Sequence, residues 1–176
     1  MTTPTQRPPG DTGPGLLPTS DPRSLLPTRT FENVVATVLD NNPGMSRDMA
    51  ARIAAEGLKF VVTAAQNPSR AMAPSRIVDE GWHALIVHTE AYAALCTRHG
   101  TFVHHYPGYN PEHFDPDILT HTQQSIHSAG FDVDTDLWRA PTDDSLVIVT
   151  ANCQHSPPSC SVKPMPKPDW PVDIGV

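Results

Sequence analysis

Five of the nine histidines of this 176-residue chain lie between Asp79 and His105, beside several carboxylates. Asp79 and His83 are four residues apart, so on a helix their side chains would share one face. Glu80 and His83 have the Glu-x-x-His spacing with which helical bundles bring a carboxylate and an imidazole to one ion. The His104-His105 pair follows in a turn-rich passage that we expect to fold back over this helix. The predicted metal ligands are therefore Asp79, His83, His104 and His105.

Imidazole and carboxylate ligands favour zinc, iron or copper over calcium or magnesium, because the two harder ions prefer all-oxygen shells. A site with three protein ligands would keep one position open for water or substrate. The sequence thus predicts a transition metal ion as cofactor, with Glu80 or Glu90 as an outer-shell carboxylate or general base. The alternative is a structural hydrogen-bond network of His83 with Asp79, beside two histidines that only form a turn.

The other histidines and the cysteines give weaker signals. His88 and His99 lie next to an apolar stripe and are predicted to be partly buried structural residues; His113, His121 and His127 are predicted at the surface.

The motif Cys153-x-His155-x4-Cys160 contains good zinc ligands. It lacks the usual short Cys pair and a clear fourth ligand, which favours a labile disulfide or two free thiols. Cys96 lies on the apolar stripe and is predicted to be an unreactive core residue.

Helical periodicity surrounds the histidine group. A first helix is predicted from an N-cap at Thr30 to the stop signal at Asn41, and a second from an N-cap at Ser46 to about Asn67. Gly57 is the weak point of the second helix, since glycine costs about 1 kcal/mol relative to alanine inside a helix. A close helix crossing at this position would explain the glycine.

A third helix is predicted from the cap Ser75 to the C-terminal stop Gly100, and a fourth from Pro116 or Asp117 to Ser128. Residues 145–150 are typical of a short strand without an evident partner. One stripe of the third helix should face the core; it comprises Val78, Trp82, Leu85, Thr89, Tyr92 and Cys96.

Prolines bound the part of the chain that can fold compactly. Of 20 prolines, seven precede Phe31 and six follow Cys153. Proline removes an amide donor and favours an extended preceding residue, so neither end is expected to build packed elements. The predicted domains are a disordered arm at 1–29, a helical domain at 30–150 and a Pro-rich tail at 151–176. The predicted fold class is mainly α: a small bundle of three to four helices with a His-rich turn.

Composition excludes some classes of partner. The net charge is -7 and only 12 residues are basic, whereas nucleic-acid binding needs clustered Lys and Arg. No apolar stretch approaches the roughly 20 residues of a membrane span, and the N-terminus lacks the apolar core of a secretory signal. We therefore expect a cytoplasmic protein whose partner is an unknown small molecule or protein, with no nucleic acid and no membrane.

Residues 74–107 resemble the core of the bacterial glycine-rich-domain-containing-protein-like family. The resemblance covers about a fifth of the chain and implies the grouping of these residues in one fold; no biochemical role is established for that family. Many relatives end in a Gly- and Cys-rich tail, whereas this chain ends in a Pro-rich one. The similar positions are Val78, Asp79, Trp82, His83, Thr89, Tyr92, Cys96, Gly100, Phe102, His104, His105 and Pro107.

Three functions compete at this point. The leading hypothesis is a metal-binding helical domain, which extends to a small metalloenzyme that uses the His/carboxylate site. The alternative is a non-catalytic protein-interaction module in which the histidines are scaffolding and the Pro-rich tails recruit a partner. A third is a structural zinc domain, which would unfold when the metal is removed.

Overall fold

The computed structural model describes residues 21–105 and 116–139. The predicted mainly helical bundle is confirmed, and none of the helices in these two ranges is long and apolar enough to cross a membrane. His113, Cys153, Cys160 and the strand predicted at 145–150 lie outside the described residues. A short 3₁₀ helix at Pro22–Leu25 precedes five α-helices: α1 (Thr28–Asn41), α2 (Arg47–Gln66), α3 (Arg76–Ile86), α4 (Thr89–His99) and α5 (Ile118–Ser128).

The central element is α2, which contacts all four other α-helices. Every residue from Ile53 to Ala65 is buried. The close crossing expected at Gly57 is present: a Cβ atom there would lie 2.7 Å from the backbone carbon of Gly81 in α3. A Cβ on Gly81 would lie 2.3 Å from the carbonyl oxygen of Ile53. The two glycines let the backbones of α2 and α3 touch, and this contact fixes the helix that carries Asp79 and His83.

Two of the three predicted N-caps are confirmed. The hydroxyl of Ser46 accepts from the amide of Met49 at 3.2 Å, and that of Ser75 accepts from the amide of Val78 at 3.1 Å. Thr30 is not a cap, because α1 already begins at Thr28.

The early start of α1 extends the packed part of the chain. Residues 21–29 were expected to belong to the flexible arm, yet they contain the 3₁₀ helix and the first turn of α1. Leu26 is buried in the hydrophobic core. The amide of Phe31 donates to the carbonyl of Pro27 at 3.0 Å, so helical hydrogen bonding starts directly after that proline.

The prediction of one long helix from Ser75 to Gly100 is wrong. The chain turns at Val87 and His88, and α3 and α4 are separate helices. The imidazole Nε2 of His88 lies 3.0 Å from the hydroxyl of Thr37, which ties the corner to α1. Ten residues of straight helix rise about 15 Å, which would separate Trp82 from Tyr92. The corner folds α4 back, and the two side chains form a hydrogen bond.

A segment after α5 is held against α2 by polar contacts. Arg52 donates to both oxygens of Asp134, at 2.7 and 2.9 Å, and Glu56 accepts from the indole of Trp138 at 2.8 Å. Hydrogen bonding from Arg52 is the largest reason that the pKa of Asp134 lies below its usual range. The buried apolar residues of the segment are Phe131, Leu137 and Trp138.

Candidate metal centre

Asp79 and His83 share one face of α3, as their spacing predicts. Asp79 lies in the first turn, which the Ser75 cap starts, and His83 lies in the last turn. The Nδ1 atom of His83 is 3.8 Å from Oδ2 of Asp79. Both side chains are largely covered, with 20% and 16% of their surfaces exposed. The helix therefore presents a carboxylate and an imidazole on one partly buried face.

His105 completes the group from the chain beyond α4. Its Nε2 atom is 3.4 Å from Oδ1 of Asp79, and its ring centroid is 4.4 Å from that of His83. The predicted return of the chain after Gly100 is thus present. One oxygen of the Asp79 carboxylate faces each imidazole, and one ligand atom from each of Asp79, His83 and His105 lies within 4.8 Å of the other two.

Only one histidine of the His104-His105 pair reaches this group. Along the chain, Phe102 and His104 are exposed whereas Val103 is buried and His105 is partly buried. Such alternation is typical of extended backbone, in which neighbouring side chains point to opposite sides. His104 lies outside the group and packs against Phe102, with a ring-centroid distance of 4.8 Å. His105 therefore lies in the group with Asp79 and His83, and His104 does not.

The backbone that leads to His105 is held by buried aromatic side chains. Tyr92 donates its hydroxyl to the carbonyl of Val103 at 2.5 Å and accepts from the indole of Trp82 at 2.9 Å. The Trp82 ring also lies against the ring of His105, at a centroid distance of 4.5 Å. The sequence placed Trp82 and Tyr92 only in a core stripe. The hydroxyl of Tyr92 and the indole N–H of Trp82 could have indicated these hydrogen bonds, because a buried Tyr or Trp normally finds a hydrogen-bond partner.

The spacing of the three side chains fits ligands around an ion. Ligand atoms about 2.0–2.1 Å from zinc at tetrahedral angles are about 3.3–3.4 Å apart. The distance from Oδ1 of Asp79 to His105 is 3.4 Å, and that from the other oxygen, Oδ2, to His83 is 3.8 Å. No pair exceeds 4.8 Å, so convergence on an ion would need ring movements of at most about 1.5 Å.

The electrostatics keep His83 in the form that binds metals. Burial lowers the pKa of His83, the attraction of Asp79 opposes that shift, and the nearby His105 adds to it. The net direction is downward, so the imidazole is neutral at pH 7. A neutral imidazole has a free lone pair, which a metal ion requires of its ligand.

The two carboxylates predicted as general base or outer-shell groups lie elsewhere. Glu80 is buried on another side of α3, where its Oε1 atom accepts from the side-chain amides of Asn41 and Asn42 at 3.0 and 3.1 Å. Glu90 lies exposed in the first turn of α4, beyond the corner that separates it from His83. The structure does not bring either residue into the group around Asp79, and their catalytic roles stay predictions.

The remaining described histidines and Cys96 follow the sequence predictions. His88 and His99 are partly buried, and His121 and His127 are exposed on α5. Cys96 is fully buried, and burial raises the pKa of its thiol. This thiol is therefore protonated at neutral pH and is a poor nucleophile.

Comparison with known proteins places most of this domain in one family. The UCP032817-like family matches residues 23–126, which include α1 to α4, nearly all of α5 and all three residues of the candidate site. Comparison with curated proteins and with solved structures found no match. The family description does not bear on the resemblance to the glycine-rich-domain family, which stays a prediction.

Proposed function

The chain belongs to the UCP032817-like family, and we propose that it binds one transition metal ion through Asp79, His83 and His105. The observation that supports the proposal is the convergence of these three side chains, from α3 and from the chain beyond α4, to within 4.8 Å. Two imidazoles and a carboxylate suit zinc, iron or copper, and this ligand set with open positions is also typical of non-haem iron sites.

The distances favour an ion over a purely structural hydrogen-bond network. An N–H···O hydrogen bond normally spans about 2.7–3.2 Å. The contact of Asp79 with His105 is a long hydrogen bond at 3.4 Å, and that with His83, at 3.8 Å, is beyond hydrogen-bond distance. A network that existed to stabilise the fold would be expected to close these gaps, whereas ligands that surround an ion keep them. An interaction module with a scaffolding histidine cluster is therefore the less favoured function.

The proposal extends to catalysis on a small molecule. Three protein ligands leave at least one coordination position for water or substrate. The side chain of His83 is 20% exposed, so this position would be reached from solvent. When bound, such an ion supplies Lewis-acid chemistry: it polarises a substrate oxygen and lowers the pKa of water. Within this proposal Asp79 and His83 hold the ion on the rigid helix α3, and His105 closes the site.

The experiment is elemental analysis of the full chain, purified without a histidine tag and loaded in turn with zinc, iron(II) and copper(II). We expect about one ion per chain after dialysis for at least one metal. His83→Ala and His105→Ala should lose the ion on dialysis and bind it only weakly when metal is in excess, because each removes one of three ligands. His104→Ala is the matched control, since this residue is adjacent to His105 but exposed and outside the group.

Full retention of metal by His83→Ala, or absence of metal from the wild type under all three loadings, would overturn the proposal. Loss of metal from His104→Ala but not from His105→Ala would show that the wrong histidine of the pair has been chosen.

A further inference from the structure

The hydroxyl of Tyr92 lies inside the core, next to the chain segment that delivers His105. It donates to the carbonyl of Val103 at 2.5 Å and accepts from Trp82 at 2.9 Å, and all three residues are buried. We propose that Tyr92 is the positioning residue of the metal site, and that its hydroxyl holds His105 where it can bind the ion. This inference rests on the proposed function.

The position of the Tyr92–Val103 bond makes it specific for His105. Val103 and His105 lie two residues apart, on the same side of a segment whose exposure alternates residue by residue. A single residue, His104, separates the held carbonyl from the ligand. Fixing the carbonyl of Val103 therefore limits how far the imidazole of His105 can move from Asp79.

Trp82 connects the two halves of the site. It directly precedes His83 in α3, its indole N–H donates to Tyr92, and its ring lies 4.5 Å from that of His105. The ring of Trp82 also contacts that of Phe60 in α2, at a centroid distance of 5.0 Å. The helix with two ligands and the segment with the third are thus joined through Tyr92. This connection exists only because the corner at Val87 and His88 turns α4 back towards α3.

The hydroxyl, rather than the ring, carries this role. Phenylalanine at position 92 would fill the same core volume but would leave the buried carbonyl of Val103 and the indole of Trp82 without this partner. The segment would then leave its position for part of the time. The apparent metal affinity is proportional to the fraction of chains in which the binding arrangement is present, so it falls when that fraction falls. Loss of a group that orients a metal ligand typically lowers metal affinity about 10- to 100-fold.

A double-mutant cycle separates positioning from general destabilisation. Zinc affinity is measured by competition with a chromophoric chelator for the wild type, Tyr92→Phe, His105→Ala and the double variant. If Tyr92 acts through His105, Tyr92→Phe should weaken binding about 10- to 100-fold in the wild-type background. The same change should have almost no effect in the His105→Ala background. A merely structural role would weaken binding equally in both backgrounds.

Thr122→Val is the matched control. The Thr122 hydroxyl is buried in α5, which contributes no residue to the metal group, and accepts from the amide of Ala73 at 3.1 Å. This variant also removes one buried hydroxyl contact, and its zinc affinity should equal that of the wild type. An equal loss of affinity in Thr122→Val and Tyr92→Phe would overturn the positioning role.

A second measurement needs no variant and tests the contact of the Trp82 ring with His105, on which the inference depends. In a ¹H–¹⁵N spectrum of the wild type, zinc should shift the indole N–H resonance of Trp82, which contacts both Tyr92 and His105. The indole of Trp138, which is bonded to Glu56, should stay unchanged. An unmoved Trp82 resonance or an additive cycle in a protein that binds zinc would overturn this inference alone. A wild type that binds no metal would overturn the proposed function with it.

Discussion

Gly81→Ala should destabilise the protein, which is the reverse of the usual effect of alanine in a helix. Alanine is better than glycine inside a helix by about 0.5–1 kcal/mol. At this crossing, however, the new Cβ would lie 2.3 Å from the carbonyl oxygen of Ile53 and 3.0 Å from its carbonyl carbon. An ordinary contact is about 1 Å longer than the 2.3 Å to the oxygen. The oxygen and the carbon both belong to the backbone of Ile53 and cannot rotate away.

The magnitude follows from these opposing effects. Overpacking of a tight core typically costs about 1–3 kcal/mol, and the upper end applies where two helix backbones must separate. Subtraction of the gain in helix propensity leaves a net loss of about 2 kcal/mol in the free energy of unfolding. That loss is a sizeable part of the total stability of a domain, which is about 5–15 kcal/mol.

The assay is urea denaturation followed by circular dichroism at 222 nm. Ala94→Gly is the control with the opposite substitution: Ala94 is exposed in the interior of α4, and this variant should lose about 1 kcal/mol through propensity alone. Alanine should therefore be the better residue at position 94 and glycine the better one at position 81. A Gly81→Ala variant as stable as the wild type would refute the direct backbone contact of α2 with α3.

Three further outcomes can be measured with the same chain. Asp134→Asn should lower the free energy of unfolding by about 1 kcal/mol at pH 7, because the partly exposed pair with Arg52 loses its charge. The pKa of Asp134 is lower in the folded protein than in the unfolded chain, where it is about 4. The stabilisation is therefore present above the unfolded pKa and is lost as the pH falls through the folded pKa. The two unfolding curves should therefore converge in acid, and a gap that widens there would contradict this assignment. Ser75→Ala should lower the free energy of unfolding by about 1–2 kcal/mol, since its hydroxyl caps α3 and donates to the carbonyl of Leu137 at 2.6 Å. A loss no larger than that of an ordinary exposed substitution, measured by urea denaturation, would contradict this role. Removal of metal with a chelator should leave the far-ultraviolet circular dichroism unchanged, because none of the three ligands belongs to the apolar core that holds the helices together. Unfolding would instead indicate a structural zinc domain.

Features that depend on local chemistry could be predicted from the sequence. Ser46 and Ser75 cap helices because their own hydroxyls reach amides three residues later. Asp79 and His83 share a face because four residues make about one turn. The glycine at position 57 pointed to a close crossing, and the structure supplies Gly81 as its partner. Each of these inferences needs only a few neighbouring residues.

Features that depend on distant contacts could not be predicted in this way. Apolar periodicity continues through Val87 and His88, and only the contacts of His88 with Thr37 and of Trp82 with Tyr92 show why the helix divides. Which histidine of the pair lies beside Asp79 likewise depends on the course of the backbone after Gly100, where Tyr92 donates to the carbonyl of Val103.

Glu80 shows the same limit. Its spacing from His83 is correct for a shared metal site. Two amide side chains at the end of α1, however, bind the carboxylate on another side of α3. A spacing rule describes which residues can meet, and long-range packing decides which of them do.

The most direct test of the metal site is a long-range ¹H–¹⁵N spectrum of the imidazole nitrogens, recorded as zinc is added to the full-length protein. We expect one ring nitrogen of His83 and one of His105 to shift together and to saturate at about one ion per chain. The resonances of His104, His121 and His127 should stay in place. Saturating shifts at those three histidines, with His83 and His105 unchanged, would contradict the site proposed for this protein.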